Sequence, residues 1–126
     1  MSETHLQHSL YEVKAGLFKG LAHPIRIHVL ELLSDGAEHT VAQLQTHTGL
    51  EASHLSQHLA VLRKHHLVSS TRRGSHVFYS VTSNAVIELL ASARQFLIEL
   101  LTAQGHQLAE AAELPRLPQV NAAQVK

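Results

Sequence analysis

The stretch from Thr40 to Thr82, TVAQLQTHTGLEASHLSQHLAVLRKHHLVSSTRRGSHVFYSVT, holds two short helical patterns, a glycine between them, and then a change of period. Thr40-Val-Ala-Gln43 fits a capping box: the threonine oxygen accepts from the backbone N–H three residues on, and the glutamine reaches back. The helix that starts there turns Val41 and Leu44 inward and stops at Thr48-Gly49, where glycine can take the left-handed conformation that closes a helix. Leu50 and Glu51 restart the chain, and Leu55, Leu59 and Leu62 then stack on one side of a further helix. Two helices joined by a tight glycine turn form a helix-turn-helix pattern. With the three leucines inward, the outward arc carries Ser53, Ser56, Gln57, Ala60 and Lys64, with His54 and Val61 on its flanks. That arc is small, polar and positive.

After His65-His66 the period becomes alternating through Val68-Ser-Ser-Thr-Arg-Arg, Gly74-Ser75 and His76-Val-Phe-Tyr-Ser-Val-Thr82, which predicts a two-stranded hairpin. Val77, Tyr79 and Val81 share one strand face, and Arg72 and Arg73 sit at the tip beside the glycine turn. Upstream, Leu6, Leu10, Val13, Leu17 and Leu21 form one stripe of an amphipathic helix over 5–21. His23-Pro24 then interrupts, and a second helix starts near Pro24. Its body, IRIHVLELL, is apolar on nearly every face, so it is expected to be the central and most buried helix, ending at Ser34, Asp35 and Gly36. Downstream, Val86, Leu89, Leu90, Ala93, Leu97, Leu100 and Leu101, with Phe96 alongside, predict a fifth helix from 83 to about 107. The fold class expected is therefore mainly α with a two-stranded β-wing, a winged helix-turn-helix ordered α-α-α-α-β-β-α within residues 1–107. The remainder, 108–126, ends in LPRLPQVNAAQVK, which buries too little to offset its ordering entropy and reads as a flexible tail.

Composition sets limits on function. The chain has 126 residues and no cysteine, which suits one domain and excludes disulfides, thiol redox sensing and thiolate metal sites. No apolar stretch approaches the roughly 18 residues of a membrane-spanning helix, and MSETHLQHSLYEVK has no basic region followed by an apolar run. A cytoplasmic protein without membrane association is expected. A Gly-rich phosphate loop, a Gly-x-Ser-x-Gly elbow and a histidine-glutamate zinc motif are all missing, and Glu51, Ser53 and His54 point in different directions on a helix, so enzymatic chemistry is not expected and no cofactor is implied.

The formal charge of zero hides a segregation. Residues 1 to 51 sum to minus three, whereas the window from Ala52 to Ile87 holds no acid and four fixed cations, Arg63, Lys64, Arg72 and Arg73. Five of the twelve histidines lie in that window too. Such a footprint suits a polyanion, because each phosphate neutralised releases condensed counterions. The mechanical reading is double-stranded DNA, with the fourth helix in the major groove and the wing on the adjacent backbone or minor groove. Gln57 suits a bidentate contact to adenine; Ser53, His54 and Ser56 suit bases or phosphates; Lys64, Arg72 and Arg73 suit phosphates. Arg63 points sideways and is available to pair within the fold. A winged-helix module that binds protein rather than DNA is the competing reading, and the missing carboxylates argue against it.

From Leu21 to Thr82 the chain resembles the ArsR/SmtB family of bacterial winged-helix transcriptional repressors, through LAHPIR before the second helix, LSQHLAVLR on the fourth, and the L-V, R-R-G and Y-S of the wing. The resemblance implies a homodimer built from the first and fifth helices, an inverted-repeat operator near the protein's own promoter, and release by an inducer. The leucine excess on those two helices supports a dimer independently. The family's Cys-x-Cys metal motif has no counterpart in Val41 to His47, VAQLQTH, and the last helix offers only Glu88, Glu99 and His106 where the second family site needs Asp and His ligands. A metal sensor of either type is not expected, and the residues name no inducer. His5 with His8, and His54 with His58, have spacings at which two imidazoles can share a metal, but each pair lacks a third ligand unless the partner's last helix brings His106 to the first. Protonation of imidazoles near DNA is a further way to respond to a signal. His58 turns partly inward and reads as a hydrogen-bonded core group, and His23 and His28 read as structural.

Overall fold

A computed structural model describes residues 3–105, with side chains from Ser9 onward. The elements are α1 (Glu3–Leu21), α2 (Pro24–Leu32) running into a single 3-10 turn (Leu33–Asp35), β1 (His39–Thr40), α3 (Val41–Thr48), α4 (Ala52–Lys64), β2 (Val68–Arg73), β3 (His76–Val81) and α5 (Asn84–Ala103). The tail expected over 108–126 lies outside the described residues.

Capping chemistry places the helix starts where the sequence puts them. His23 is extended, and its Nδ1 accepts from the backbone N–H of Ile25 (3.0 Å), so it caps α2 while Pro24 occupies the first helical position. The capping box at α3 is complete: the N–H of Gln43 donates to Thr40 Oγ1 (3.2 Å) and the N–H of Thr40 to Gln43 Oε1 (2.8 Å). Gly49, at φ 73°, closes α3 and turns the chain into α4. Ser83 caps α5 by accepting from the N–H of Ala85 (2.8 Å). That helix ends at Ala103 rather than about 107, because Gly105 takes a left-handed φ of 76° just past its last turn.

The core is one cluster: Val29, Leu30 and Leu33 from the second helical segment, Leu44 from α3, Leu55, Leu59 and Leu62 from α4, Leu67 and Val68 entering the sheet, and Val86 and Leu90 from α5. It fixes α4 by its leucine side and leaves the opposite arc in solvent.

The two-stranded wing forms as expected and gains a third, short strand. The hairpin is part of a three-stranded antiparallel sheet in the order β1-β3-β2, with His39 opposite Tyr79 and Thr40 opposite Phe78. A two-residue strand is too short to show alternation, so its pairing comes from position alone. The second helix has the smallest exposed share of the described helices, as expected, but it is not covered on every face. Val29 and Leu30 are sealed, but Ile27 is 37% exposed and His28 faces solvent. A single chain has only α1 and α5 to cover that side, and a cavity of about 630 Å³ remains between the three helices, lined by Phe18, Leu21, Ile27, Leu89 and Leu97 among others, with Glu31 and Arg94 at its polar wall. Burial, opposed by the charge of Arg94, raises the Glu31 carboxyl above its ordinary range. Among the described residues no helix is long and apolar enough to cross a membrane.

Candidate nucleic-acid interface

The two faces of α4 have separate roles. Leu55, His58, Leu59 and Leu62 are buried, while Ser53, His54, Ser56, Gln57, Ala60 and Lys64 are exposed, so every expected contact residue on this helix lies in solvent. At 100° per residue, Ser53, Gln57, Ala60 and Lys64 form the crest; Ser56 and Arg63 lie on one flank, His54 and His58 on the other. Arg63 pairs within the fold, as its sideways position suggested: its Nη1 donates to Ser70 Oγ of β2 (3.0 Å), which ties the wing to the recognition helix.

Between that flank and the sheet runs a cleft of about 450 Å³, lined by Ser56, Ala60, Arg63, Lys64, His66 and Tyr79. His66 escaped the sequence reading as a site residue. It is held at a left-handed φ of 61°, with its N–H bonded to Arg63 O (3.0 Å) and its carbonyl accepting from Thr82 Oγ1 (2.8 Å). A positive φ in a non-glycine residue is costly and persists only where its surroundings impose it. Nothing in a one-dimensional pattern marks this.

The wing tip departs from the expectation of two free cations. Arg72 is exposed, but Arg73 is engaged twice: its Nη1 and Nη2 donate to Glu38 Oε2 (3.1 Å) and Oε1 (2.5 Å), and its guanidinium lies 4.1 Å from the centre of the Phe78 ring. Hydrogen bonding first, and charge second, hold the Glu38 carboxyl below its usual range and raise the Arg73 guanidinium. Glu38 is 35 residues away in sequence, and the pairing of β1 with β3 is what brings it there.

On the other flank, α4 meets α2. His58 lies with its ring 4.4 Å from that of His23 and 5.1 Å from that of His54, and its Nδ1 faces Arg26 Nη1 at 3.4 Å. Arg26 also donates from Nε to the carbonyl of Gly20 (2.7 Å) and from Nη2 to that of Lys19 (3.3 Å), binding the end of α1 to the same point. Burial first, then His23, His54 and Arg26, push the His58 imidazole below its ordinary 6.5. His58 is thus a buried structural group and His23 a helix cap, as expected, while His23 and His28 both line the open cavity. Among the described residues no three His, Asp or Glu side chains come together in a way that would hold a metal. The side chains of His5 and His8, and the whole of His106, lie outside the described residues.

A recognition helix with a solvent-facing polar crest, a sheet packed along one flank and a second helix beneath it is the winged helix-turn-helix arrangement. Residues 23–70 match the family model described as bacterial regulatory protein, arsR family. The chain belongs to the arsR family. It is similar to the HTH-type transcriptional regulator Rv0081 of Mycobacterium tuberculosis, with 44% identity over 93 residues, covering 74% of this chain and 82% of that protein. The crystal structure of Rv0081 superposes with a TM-score of 0.69, covering 75% of this chain and 95% of that one. The solution structure described as the homodimeric winged helix-turn-helix DNA-binding domain of Mb0332, from Mycobacterium bovis, gives a TM-score of 0.71 at 27% identity, over 79% of this chain and 89% of that one. The biofilm growth-associated repressor of Xylella fastidiosa is 34% identical over 76 residues, 60% of this chain and 66% of that protein. The arsR-family chain described here is therefore a transcriptional regulator with a DNA-binding fold, and not an enzyme.

Proposed function

We propose that this arsR-family regulator is a homodimeric repressor that binds an inverted-repeat DNA operator through α4 and the wing. The observation that carries the reading is the solvent-facing crest of α4, which has no carboxylate and adjoins a cleft lined by Arg63, Lys64 and His66. Gln57 takes a base edge; Ser53, His54 and Ser56 take bases or phosphates; Lys64 and Arg72 take phosphates, and Arg73 does so once released from Glu38.

Dimerisation is supported by apolar side chains that one chain leaves uncovered. Leu10, Tyr11, Val13 and Phe18 on α1, and Phe96, Leu97 and Leu100 on α5, are all exposed. Exposed apolar side chains in this number suit a contact with another molecule, and the homodimeric state named for Mb0332 supports a second copy as that molecule. A two-fold axis then sets the two α4 helices about 34 Å apart, one turn of DNA. A dimer seated over a promoter blocks transcription, which is the sense of regulation proposed; relatives carry both senses by name, a repressor and the transcriptional activator HlyU of Vibrio cholerae.

The experiment is selection of genomic fragments by the purified chain, followed by a salt titration on a recovered fragment and a reporter behind the same promoter. With about six to eight phosphate contacts per dimer, log K falls against log salt with a slope of roughly −5 to −7. Reporter output is expected to rise when the protein is removed. A flat salt response would assign the fold to protein binding instead, and a fall in reporter output would make the protein an activator.

A further inference from the structure

The imidazoles of His23, His54 and His58 and the guanidinium of Arg26 form a group to which α2 and α4 both contribute, and all four are basic. The charged or titratable groups that bear on His58 are His23 and Arg26 from α2 and His54 from α4; α1 faces the group through the carbonyls of Lys19 and Gly20, which hold Arg26. On its own element, His54 has Glu51 one turn before it, at the exposed start of α4. Such a gathering of cations is unfavourable unless the imidazoles stay neutral or an anion joins them. The hydrogen bonds fit the neutral form. Nδ1 of His23 accepts from Ile25, and Nδ1 of His58 faces a guanidinium that can only donate, so both rings keep their proton on Nε2.

The position of the group suggests the anion. A helix lying in a major groove has a phosphate strand along each of its flanks. One flank of α4 faces the wing and its cleft, while His54 and His58 lie on the other, against the start of α2. His54 is exposed and His23 half-buried, so both are within reach from outside, with His58 buried against both rings and Arg26 half-buried beside it.

Resting on the DNA-binding reading above, we infer that His23 and His54 form a second phosphate seat on the flank of α4 away from the wing, and that His54 takes up a proton when a DNA phosphodiester enters it, while His23 donates from Nε2 and keeps Nδ1 on the Ile25 N–H. The proton comes from hydronium or the buffer acid, whose bond to hydrogen breaks as the N–H bond forms. The phosphate supplies the negative charge that the group lacks, which favours the imidazolium in the complex. DNA affinity then carries a proton linkage belonging to His54 in this seat, separate from the salt dependence of the arginines and lysines.

The test is binding of the full chain to a random-sequence DNA duplex, followed by fluorescence anisotropy at constant salt between about pH 6 and pH 8. The variants are His54→Gln and His23→Asn, the latter because asparagine preserves the helix cap. Thermal melts confirm that each is folded across the pH range. One proton taken up corresponds to a gain of at most about tenfold per pH unit. The wild type is expected to tighten on acidification by at least about threefold more than the double variant. The C–H resonance of His54 is expected to titrate at higher pH with duplex than without it. Binding that responds to pH equally in the wild type and the double variant overturns the seat and leaves the DNA reading standing. A wild type that fails to bind the duplex at any pH overturns both.

Discussion

Replacing Glu38 by glutamine is expected to strengthen DNA binding and to steepen its salt dependence. Both carboxylate oxygens of Glu38 accept from Arg73, at 3.1 and 2.5 Å, while the guanidinium also lies over Phe78. The pair is half-exposed, so it adds little to folding; its effect is to cancel one of the two cations at the wing tip. Arg73 can meet a phosphate only by exchanging one anion for another, so the net gain in counterion release is small while Glu38 stays ionised. The hydrogen bond from Arg73 holds the Glu38 carboxyl below its ordinary range, so the mask is present at neutral pH. Glutamine has the same length and no charge. Each phosphate newly neutralised adds about 0.9 to the salt slope, so two wings per dimer add up to about 1.8, and the affinity lost between about 50 and 200 mM salt grows by roughly tenfold. Anisotropy on a random-sequence duplex over a salt series measures this directly. In the same assay Arg72→Ala is expected to flatten the slope more than Arg73→Ala, because Arg72 is not masked. An unchanged slope in Glu38→Gln, or equal losses in the two arginine variants, would refute the reasoning.

Four further outcomes are expected. Phe96→Glu, at a position 61% exposed on α5, removes about 1.5–3 kcal/mol of apolar burial from each side of the dimer and adds a charge, so sedimentation velocity should show monomers; a dimer of unchanged strength would move the interface elsewhere. Gly20→Ala places a Cβ 2.9 Å from two ring carbons of His65 and is expected to cost about 1–3 kcal/mol, lowering the melting temperature, with His65→Ala restoring part of the loss; an unaffected melt would show that α1 and α4 slide freely. His58 bears on the pH dependence of folding. Its folded imidazole protonates below the ordinary 6.5, so as pH falls through that value the unfolded chain binds a proton that the folded chain refuses, and stability drops; His58→Leu should lessen this acid-side loss, and parallel wild-type and variant profiles would contradict it. Gln57→Ala should cost about 1–3 kcal/mol on a selected operator and little on random DNA, and equal losses on both would make Gln57 a phosphate contact.

Local chemistry explains why so much of the architecture could be read in one dimension. Caps and breakers act within three or four residues, so Thr40, Gln43, Gly49, Pro24 and Ser83 fix helix starts and stops with no information from the rest of the chain. Leu55, Leu59 and Leu62 settle the orientation of α4 through a period of 3.6, and that orientation decides which polar side chains face outward. The acid-free window from Ala52 to Ile87 is likewise visible by counting, and it identifies a surface suited to a polyanion.

What the linear order left open depends on contacts between residues far apart in it. The two residues of β1 carry no periodic signal, yet their pairing with β3 brings Glu38 to Arg73 and takes one of two apparently equivalent arginines out of the free cation set. The spacing of His54 and His58 already pairs them on α4, and only the packing of α2 on α4 adds His23 and Arg26 to make one basic cluster. The second helix reads as apolar on nearly every face and has the smallest exposed share of the described helices, but a single chain still leaves Ile27 and His28 open, because burial depends on how many neighbours surround a helix as well as on its own composition. Sequence alone determined the elements, the outward crest of α4 and the sign of its surroundings, since these follow from short-range sterics and periodicity. Only the tertiary structure decided which cations are masked, which histidines meet and which apolar faces remain open, since electrostatic and packing energies depend on distance through space, whatever the separation along the chain.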